Sequence, residues 1–554
     1  MKPPRHLARF AFCSIALFLY AHALAQPRAE NLIRDLACGA CHEGLAASDS
    51  IAFKAPSLSY AGIRYNPAYL FEYLGNPKRV RKHIGSARMP DFFLDEKERI
   101  ALTFFLAQQK QYDHPLPIFP GELLRAARKN SDDSGKKVIE ELKCTVCHQL
   151  ENSGGDIAVE LGDAGARLQP GWLIQYLALP QAYDLHSAMP AQLYARSAIG
   201  NKLEEMWPKA ASKLRSVTDF LVEVSGAERK RLEMQFNQAR LRNRSITPET
   251  GRKIFTALNC AGCHKLGKME GWFNGPNLSS EGARVQSRWL AGYIAKPQPI
   301  RPFGYYPGTG GRMPDFRLTA DEARMVTNFF LSQNVKSDIH FPAIQLSRFS
   351  VQKAGKLMKE NLPCLGCHLL EGEGGKIGPD LSKASGRLQP EYLASIIRDP
   401  KHTNPAIIMP KAPMSQDISQ LVVSYIISLK TQPSPSSYLS LTENQTFVKP
   451  DSSAAGIYVQ YCSPCHGVSG NGDGFNASYL PVKPASHLSK EMSLRSDHTI
   501  FDGISNGAGI LNKSNRMPGF GFMLNRTQIW SLVRHIRDLC KCKRPTWSNA
   551  HERD

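Results

Sequence analysis

A five-residue pattern, Cys-x-x-Cys-His, occurs five times in this chain and limits its possible folds more than any other feature. The copies are Cys38/Cys41/His42, Cys144/Cys147/His148, Cys260/Cys263/His264, Cys364/Cys367/His368 and Cys462/Cys465/His466. On a helical turn residues i, i+3 and i+4 share one face, so two thiols and an imidazole can address one planar ligand. Attachment of a c-type haem needs that arrangement: both sulfurs bond to the porphyrin edge and the histidine ligates the iron. A single copy would also fit a thiol redox pair or half a zinc site. Five copies, each with a methionine at a similar distance downstream, favour five covalently bound haem c groups with their iron.

The first cysteines lie 106, 116, 104 and 98 residues apart, a regularity that indicates tandem units. Every unit carries Met-Pro: Met89, Met189, Met313, Met409 and Met517 follow their histidines by 47, 41, 49, 41 and 51 residues. The alternating gaps indicate that units one and two were duplicated as a pair to give three and four. ARMPDFFLDEKERIALTFFL at 87–106 matches GRMPDFRLTADEARMVTNFFL at 311–331, and GARLQPGWL at 165–173 matches SGRLQPEYL at 385–393. The fifth unit stands apart, beginning near Ala454 after the linker TQPSPSS.

Each unit reads as helix, haem motif, irregular loop, short helix, Met-Pro loop and final helix. In unit three Thr247 and Pro248 open the first helix, and Thr319 with Glu322 forms a capping box for the last. The other final helices are expected at Asp95 to Ala107, Ala210 to Val224, Ser415 to Leu429 and Asn525 to Leu539. Residues 226–245 read as a basic amphipathic linker helix with Leu232, Phe236 and Ala239 as its apolar stripe, expected as a solvated connector. Strand-like alternation is scarce, so the expected fold class is all-α. The partition is 1–25 signal peptide, 26–112, 130–225, 246–335, 350–431 and 453–542 as five haem domains, with linkers at 226–245 and 432–452.

The leader assignment rests on Lys2, Arg5 and Arg9, an apolar run from Phe10 to Leu19, and the small-residue site Ala23-Leu24-Ala25. Bulky Phe12 argues against lipid modification at Cys13. No later apolar stretch reaches membrane length, so the expected location is periplasmic or otherwise exported, with no transmembrane segment in the mature chain. Of thirteen cysteines, one lies in the leader, ten in the haem motifs, and Cys540 and Cys542 near the end, open to a disulfide, an interchain bridge or free thiols. The formal charge is +20, or +17 without the three leader cations. Five haems would bring about ten propionate charges, which offset more than half of that excess. Nucleic acid is not an expected partner.

The sixth iron ligand separates electron transfer from ligand binding or catalysis. Met89, Met189, Met313, Met409 and Met517 are the expected ligands, because proline fixes the turn that presents each sulfur. Unit three has no histidine between His264 and His340, which favours His/Met ligation there. His83, His186, His402 and His498 are rivals elsewhere, as are Met414, Met492 and Met523. Each proximal histidine needs a carbonyl for its second ring nitrogen. Pro56, Pro276 and Pro379 mark loops suited to present one, with Val159 in that place in unit two.

A second recurring element reads Gly62-Ile-Arg64, Gly165-Ala-Arg167, Gly282-Ala-Arg284 and Gly386-Arg387, each followed by Tyr69, Trp172, Trp289 or Tyr392 and then leucine. The arginines either sit solvated at the start of a helix or fork onto haem propionates. In the second case Arg284→Met lowers the potential of the third haem. Lys78, Arg79, Arg81, Lys82 and Arg88 crowd the approach to Met89, either as a solvated face or as a surface that steers an acidic redox partner.

Taken as a set, these motifs resemble class I c-type cytochromes repeated five times across residues 27–540. The resemblance implies compact helical domains in which first and last helices cross beside a low-spin haem with one exposed edge. It implies a periplasmic electron carrier rather than an enzyme, with redox proteins as partners. Alternatives are the cytochrome subunit of a dehydrogenase or oxidase complex, and a haem peroxidase or gas sensor with one open site. Unit two departs most, with Val159 and an insertion NKLEEMWPK before its last helix.

Overall fold

The computed structural model describes residues 29–43, 45, 55–80, 86–111, 134–184, 187–190, 203–305, 311–333, 341–429, 437–442 and 451–551. The leader, His83, His186, Arg81 and Lys82 lie outside them. The fold is mostly helical, with 54% helix and 4% strand. Among the described residues the extended structure consists of isolated bridges and two hairpins with two-residue strands, Gln149–Leu150 with Ser153–Gly154 and Leu369–Leu370 with Glu373–Gly374. The hairpins follow His148 and His368 at the same offset, as duplication of a unit pair requires. Glycine is needed at both turns: φ is +102° at Gly154 and +109° at Gly374, and a Cβ would fall 2.4 Å and 2.3 Å from the carbonyl oxygens of His148 and His368.

The chain divides into two compact bodies, and the division does not follow the repeats. Of the described residues, one body holds those within 29–32, 42–45 and 273–551, and the other those within 33–41 and 46–272. The boundaries therefore cut through the first and third repeats, between Cys41 and His42 and between Trp272 and Phe273.

In the body that contains residues 46–272, the helices used below are α1 (Ala61–Arg64), α2 (Pro67–Gly75), α3 (Glu96–Ala107), α4 (Gly135–Glu141), α5 (Ala164–Arg167), α6 (Pro170–Ala178), α7 (Leu203–Val224), α8 (Gly226–Arg242) and α9 (Pro248–Ala257). Asp95 and Glu98 form a reciprocal capping box on α3, and the Thr247 hydroxyl caps α9. The final helix of unit two starts at Leu203 rather than at Ala210, because much of the NKLEEMWPK insertion continues it N-terminally.

The helices cross at glycines. On α4 a Cβ at Gly135 would lie 2.1 Å from the Ser216 carbonyl of α7, both helices belonging to unit two. On α9 a Cβ at Gly251 would lie 1.9 Å from the Ala101 carbonyl of α3, with the Phe105 and Phe255 rings 5.5 Å apart. The first helix of unit three thus crosses the last helix of unit one.

Helix α8 is not a solvated connector. Leu232, Phe236 and Ala239 are buried in one cluster with Ala68, Phe71, Ile100 and Ala166. Arg242 pairs with Glu96 at 2.6 Å, and Arg229 donates to the Gly165 carbonyl at 2.9 Å. The apolar stripe was legible in the sequence; that the protein itself covers it was not.

In the body that contains residues 273–554 the corresponding helices are α10 (Glu281–Arg284), α11 (Ser287–Ala295), α12 (Ala320–Ser332), α13 (Arg348–Lys356), α14 (Ala384–Arg387), α15 (Pro390–Arg398), α16 (Gln416–Ser428), α17 (Ala454–Tyr461), α18 (Asp497–Asn506) and α19 (Arg526–Cys540). Thr319 with Glu322 and Asn525 with Gln528 are capping boxes on α12 and α19. The core around α17, α18 and α19 includes Tyr458, Ile504, Leu532, Val533, Met492 and Met523. Both methionines are buried core side chains.

Phe236→Ala is expected to destabilise the body holding α8 by about 3 kcal/mol, the usual cost of a buried Phe-to-Ala truncation. The check is loss of amide-exchange protection across Gly226–Arg242 at an unchanged haem content.

Candidate haem sites

The motif cysteines sit where a chain leaving a helix must turn sharply. The residue before the first cysteine adopts the left-handed conformation in three repeats, at Ala37, Lys143 and Asn259, with φ of 55°, 54° and 58°. The next three residues form a 3₁₀ turn that closes on the second cysteine, as at Cys260–Gly262. Burial pushes the thiols up, Cys38 and Cys462 to about 12 and Cys364 to about 11. It raises Cys41, Cys144, Cys260, Cys263, Cys367 and Cys465 as well. A thiol redox pair needs the opposite shift. Among the described residues no group of three His, Cys, Asp or Glu side chains could hold a metal ion, so a zinc site is not formed either. Cys540 and Cys542 form a disulfide with each other.

Cys147 shares the backbone geometry of the other motif cysteines, with exposed apolar neighbours. Its backbone follows the common pattern: the amide donates to the Cys144 carbonyl at 3.2 Å, and the carbonyl accepts from Ala158 at 3.0 Å. Val146 beside it is 68% exposed and Ile157 across the loop 61%, so this motif lies at an open edge of the protein. Asparagine side chains approach the sulfurs of Cys41 and Cys465, each at 3.4 Å. Cys147 keeps the position for a thioether bond and is partly buried like the other motif cysteines.

All five motif histidines share one contact. Nδ1 of His42 lies 2.9 Å from the Pro276 carbonyl, His148 2.7 Å from Val159, His264 3.0 Å from Pro56, His368 2.7 Å from Pro379 and His466 2.9 Å from Ala485. A carbonyl only accepts, so Nδ1 carries the proton and Nε2 keeps its lone pair for iron. Burial holds His42, His466 and His368 below the usual imidazole value, the last at about 4, which keeps them neutral as a ligand requires. The loops expected from Pro56, Pro276, Pro379 and Val159 all provide carbonyls. Those of units one and three, however, serve each other's histidine. The Ala485 carbonyl had no sequence signal.

The Met-Pro loops of units one and three share one turn. Asp91 accepts from the amide of Phe93 at 2.8 Å and Asp315 from that of Arg317 at 2.6 Å, and both donors have positive φ. Met89, Met189, Met313, Met409 and Met517 are all half-buried. His402 and His498 are exposed, and the His498 ring meets Trp530 edge-on at 5.1 Å. The buried His487 stacks on His466 at 4.3 Å and shares a 2.9 Å hydrogen bond with the Tyr458 hydroxyl. Two stacked imidazoles cannot ligate one iron along one axis, so His487 backs His466 rather than opposing it.

The arginine element forms reciprocal junctions, a role the sequence did not reveal. The Asn66 amide donates to Arg167 and the Gln169 amide to Arg64, each at 2.9 Å, around a Tyr65–Leu168 bridge. In the other body the Gln286 amide donates to Arg387 at 2.9 Å and the Gln389 amide to Arg284 at 3.0 Å, around a Val285–Leu388 bridge. Neither pair of arginines is simply solvated.

The side chains behave differently. Arg167 is held by Asp163 at 2.8 Å and by the Glu160 carbonyl. The Nε of Arg64 and the indole nitrogen of Trp172 are buried with no hydrogen-bond partner, and the Arg64 guanidinium lies 4.8 Å from the Trp172 ring centre. Arg284, Arg301 and Arg387 gather around one carboxylate, Glu281, which pairs with Arg284. Burial, then Arg301 and Arg284, push Arg387 down to about 10. Such unbalanced buried positive charge fits propionate carboxylates. The residues present therefore fit haem: paired cysteines, an imidazole bonded through Nδ1, and the three arginines Arg284, Arg301 and Arg387 gathered at Glu281.

Neighbouring motifs also touch. The Asn259 amide group donates to Ala40 at 2.9 Å and lies 3.4 Å from the Cys41 sulfur. Asn476 donates to Gly366 at 2.9 Å and lies 3.4 Å from the Cys465 sulfur. Motifs one and three, and motifs four and five, are thus adjacent in pairs.

Comparison with known families agrees. Residues 248–334 match the family model for cytochrome c, and residues 450–536 that for the cbb3-type cytochrome c oxidase subunit III. The two matched stretches support a haem-based c-type cytochrome with more than one haem. No curated protein and no solved structure matches the chain significantly. Among the described residues no helix is long and apolar enough to cross a membrane.

Arg284 stands close enough to His42 to bear on its charge. Arg284→Met is expected to lower the potential of the haem ligated by His42, the oxidised iron losing a repelling cation. For a one-electron couple each tenfold change in the redox equilibrium corresponds to ~59 mV, and tens of mV are expected in a redox titration.

Proposed function

We propose that the protein is a pentahaem c-type cytochrome that carries single electrons between redox partners outside the cytoplasm. Five domains, at 26–112, 130–225, 246–335, 350–431 and 453–542, follow a cleaved leader at 1–25. The observation that carries this reading is the fivefold repetition of one site: two cysteines, and an imidazole whose Nδ1 is bound to a carbonyl. Bound haem supplies the one-electron step. The chain's own residues orient each imidazole, present a methionine sulfur at Met89, Met189, Met313, Met409 and Met517, and neutralise propionates with arginine. Methionine with histidine raises the potential, which suits a carrier between catalytic proteins. The close approaches at Asn259 and Asn476 suit transfer between adjacent haems.

A subunit role within a larger oxidoreductase complex is the second reading, favoured by the match of residues 450–536 to an oxidase subunit family. Lys78 and Arg79 are exposed beside the Met89 loop and suit an acidic partner in either case.

A spectroelectrochemical titration of the purified holoprotein should resolve five one-electron steps, all low-spin, with no carbon monoxide binding after reduction. High-spin haem or carbon monoxide uptake overturns the carrier reading in favour of a peroxidase or gas sensor. Electron exchange with an acidic partner should slow as salt is added, and Lys78→Glu with Arg79→Glu should slow it at low salt. Co-purification with a catalytic subunit would establish the second reading.

A further inference from the structure

The exchange of proximal loops between repeats one and three bears on the other side of each iron. His42 is surrounded by the third repeat. Besides the Pro276 carbonyl, a Cβ on Gly275 would lie 2.6 Å from its ring, and the Leu278 amide donates to the Glu43 carbonyl at 3.0 Å. The same segment leads to Met313: a Cβ on Gly311 would lie 3.2 Å from the Asn274 carbonyl, and Arg312 donates to Leu439 at 3.0 Å.

His264 is surrounded by the first repeat. The Leu58 amide donates to the Lys265 carbonyl at 2.8 Å, and the Gly267 amide donates to the Ser59 hydroxyl at 3.0 Å. The helix crossing follows the same exchange, α9 of the third repeat lying on α3 of the first. In unit two the crossing pair, α4 and α7, comes from a single repeat and the methionine loop lies between them in sequence. By that geometry α9 and α3 belong to one haem module, whose methionine loop is the one that leads into α3.

We infer that the axial methionines of repeats one and three are exchanged: Met313 completes the iron held by His42, and Met89 the iron held by His264. This rests on reading the motifs as haem sites. It also moves the argument from missing histidines. The histidine-free stretch after His264 faces the iron of His42, so His/Met ligation is best founded at the first haem, and His83 becomes the rival at the third.

The test uses the full-length holoprotein, with its haem content measured first. A count below five faults the reading of the motifs and not the exchange. In a Cys38→Ser/Cys41→Ser background, which lacks the first haem, adding Met313→Ala should leave the methionine-to-iron charge-transfer band unchanged. Adding Met89→Ala should remove one haem's share of it. In a Cys260→Ser/Cys263→Ser background the two methionines should change places. The opposite pattern in either background overturns the exchange.

Should haem deletion prevent folding, Asn277→Lys in the otherwise unaltered protein gives an independent readout, since Asn277 lies 3.5 Å from Glu43. Carbodiimide treatment should join Glu43 to position 277 in the peptide map. Recovery of Glu43 unmodified, with the substituted lysine still present, overturns the exchange.

Discussion

Everything at these sites depends on one hydrogen bond, from imidazole Nδ1 to a backbone carbonyl. It selects the tautomer, sets the ring plane and leaves Nε2 as the only basic nitrogen facing away from the loop. At Pro56, Pro276 and Pro379 the accepting carbonyl is a proline's own, and the ring restricts a loop that would otherwise wander. The surrounding features serve this contact. Glycines at the helix crossings bring two helices close enough to frame the loop, and caps on the final helices hold the frame in place.

Because the bond is made by backbone, the sequence specifies it weakly. The cysteines, histidines and Met-Pro pairs could be read directly, since their chemistry is carried by side chains at short spacing. The proximal loops could be located from Pro56, Pro276 and Pro379, but not assigned to a histidine. Repeats one and three contain the same elements in the same order, so either pairing satisfies every local pattern. What distinguishes them is tertiary: Gly251 against Ala101, and Glu43 beside Leu278. The match of residues 248–334 to cytochrome c is contiguous in sequence, although the structure divides that stretch at Trp272.

The arginine element shows a similar limit. Its recurrence was plain, and its conformational reason, a short helix followed by an extended residue and a second helix, is local. Its partner was not local: Arg64 and Arg167 face each other across one junction, Arg284 and Arg387 across another. The cationic cluster of Arg284, Arg301 and Arg387 includes one member outside the repeated motif. Asn476 likewise had no periodic signal, since its role is to reach a neighbouring motif. The apolar stripe on Gly226–Arg242 is visible in the sequence, yet only packing shows that Ala68, Phe71 and Ile100 cover it.

The exchanged loops carry a consequence for the order in which the protein can mature. His42 and its carbonyl are separated by 234 residues, and His264 and Pro56 by 208. A chain synthesised from its N-terminus presents the first motif long before Pro276 exists, and unit two, which needs no other repeat for its helix crossing, can fold in the interval. Contacts so distant in sequence form late, because closing a long loop must precede any reward from the contact. The first haem-binding segment is therefore also among the last to be enclosed, and the earliest part of the chain waits on its middle.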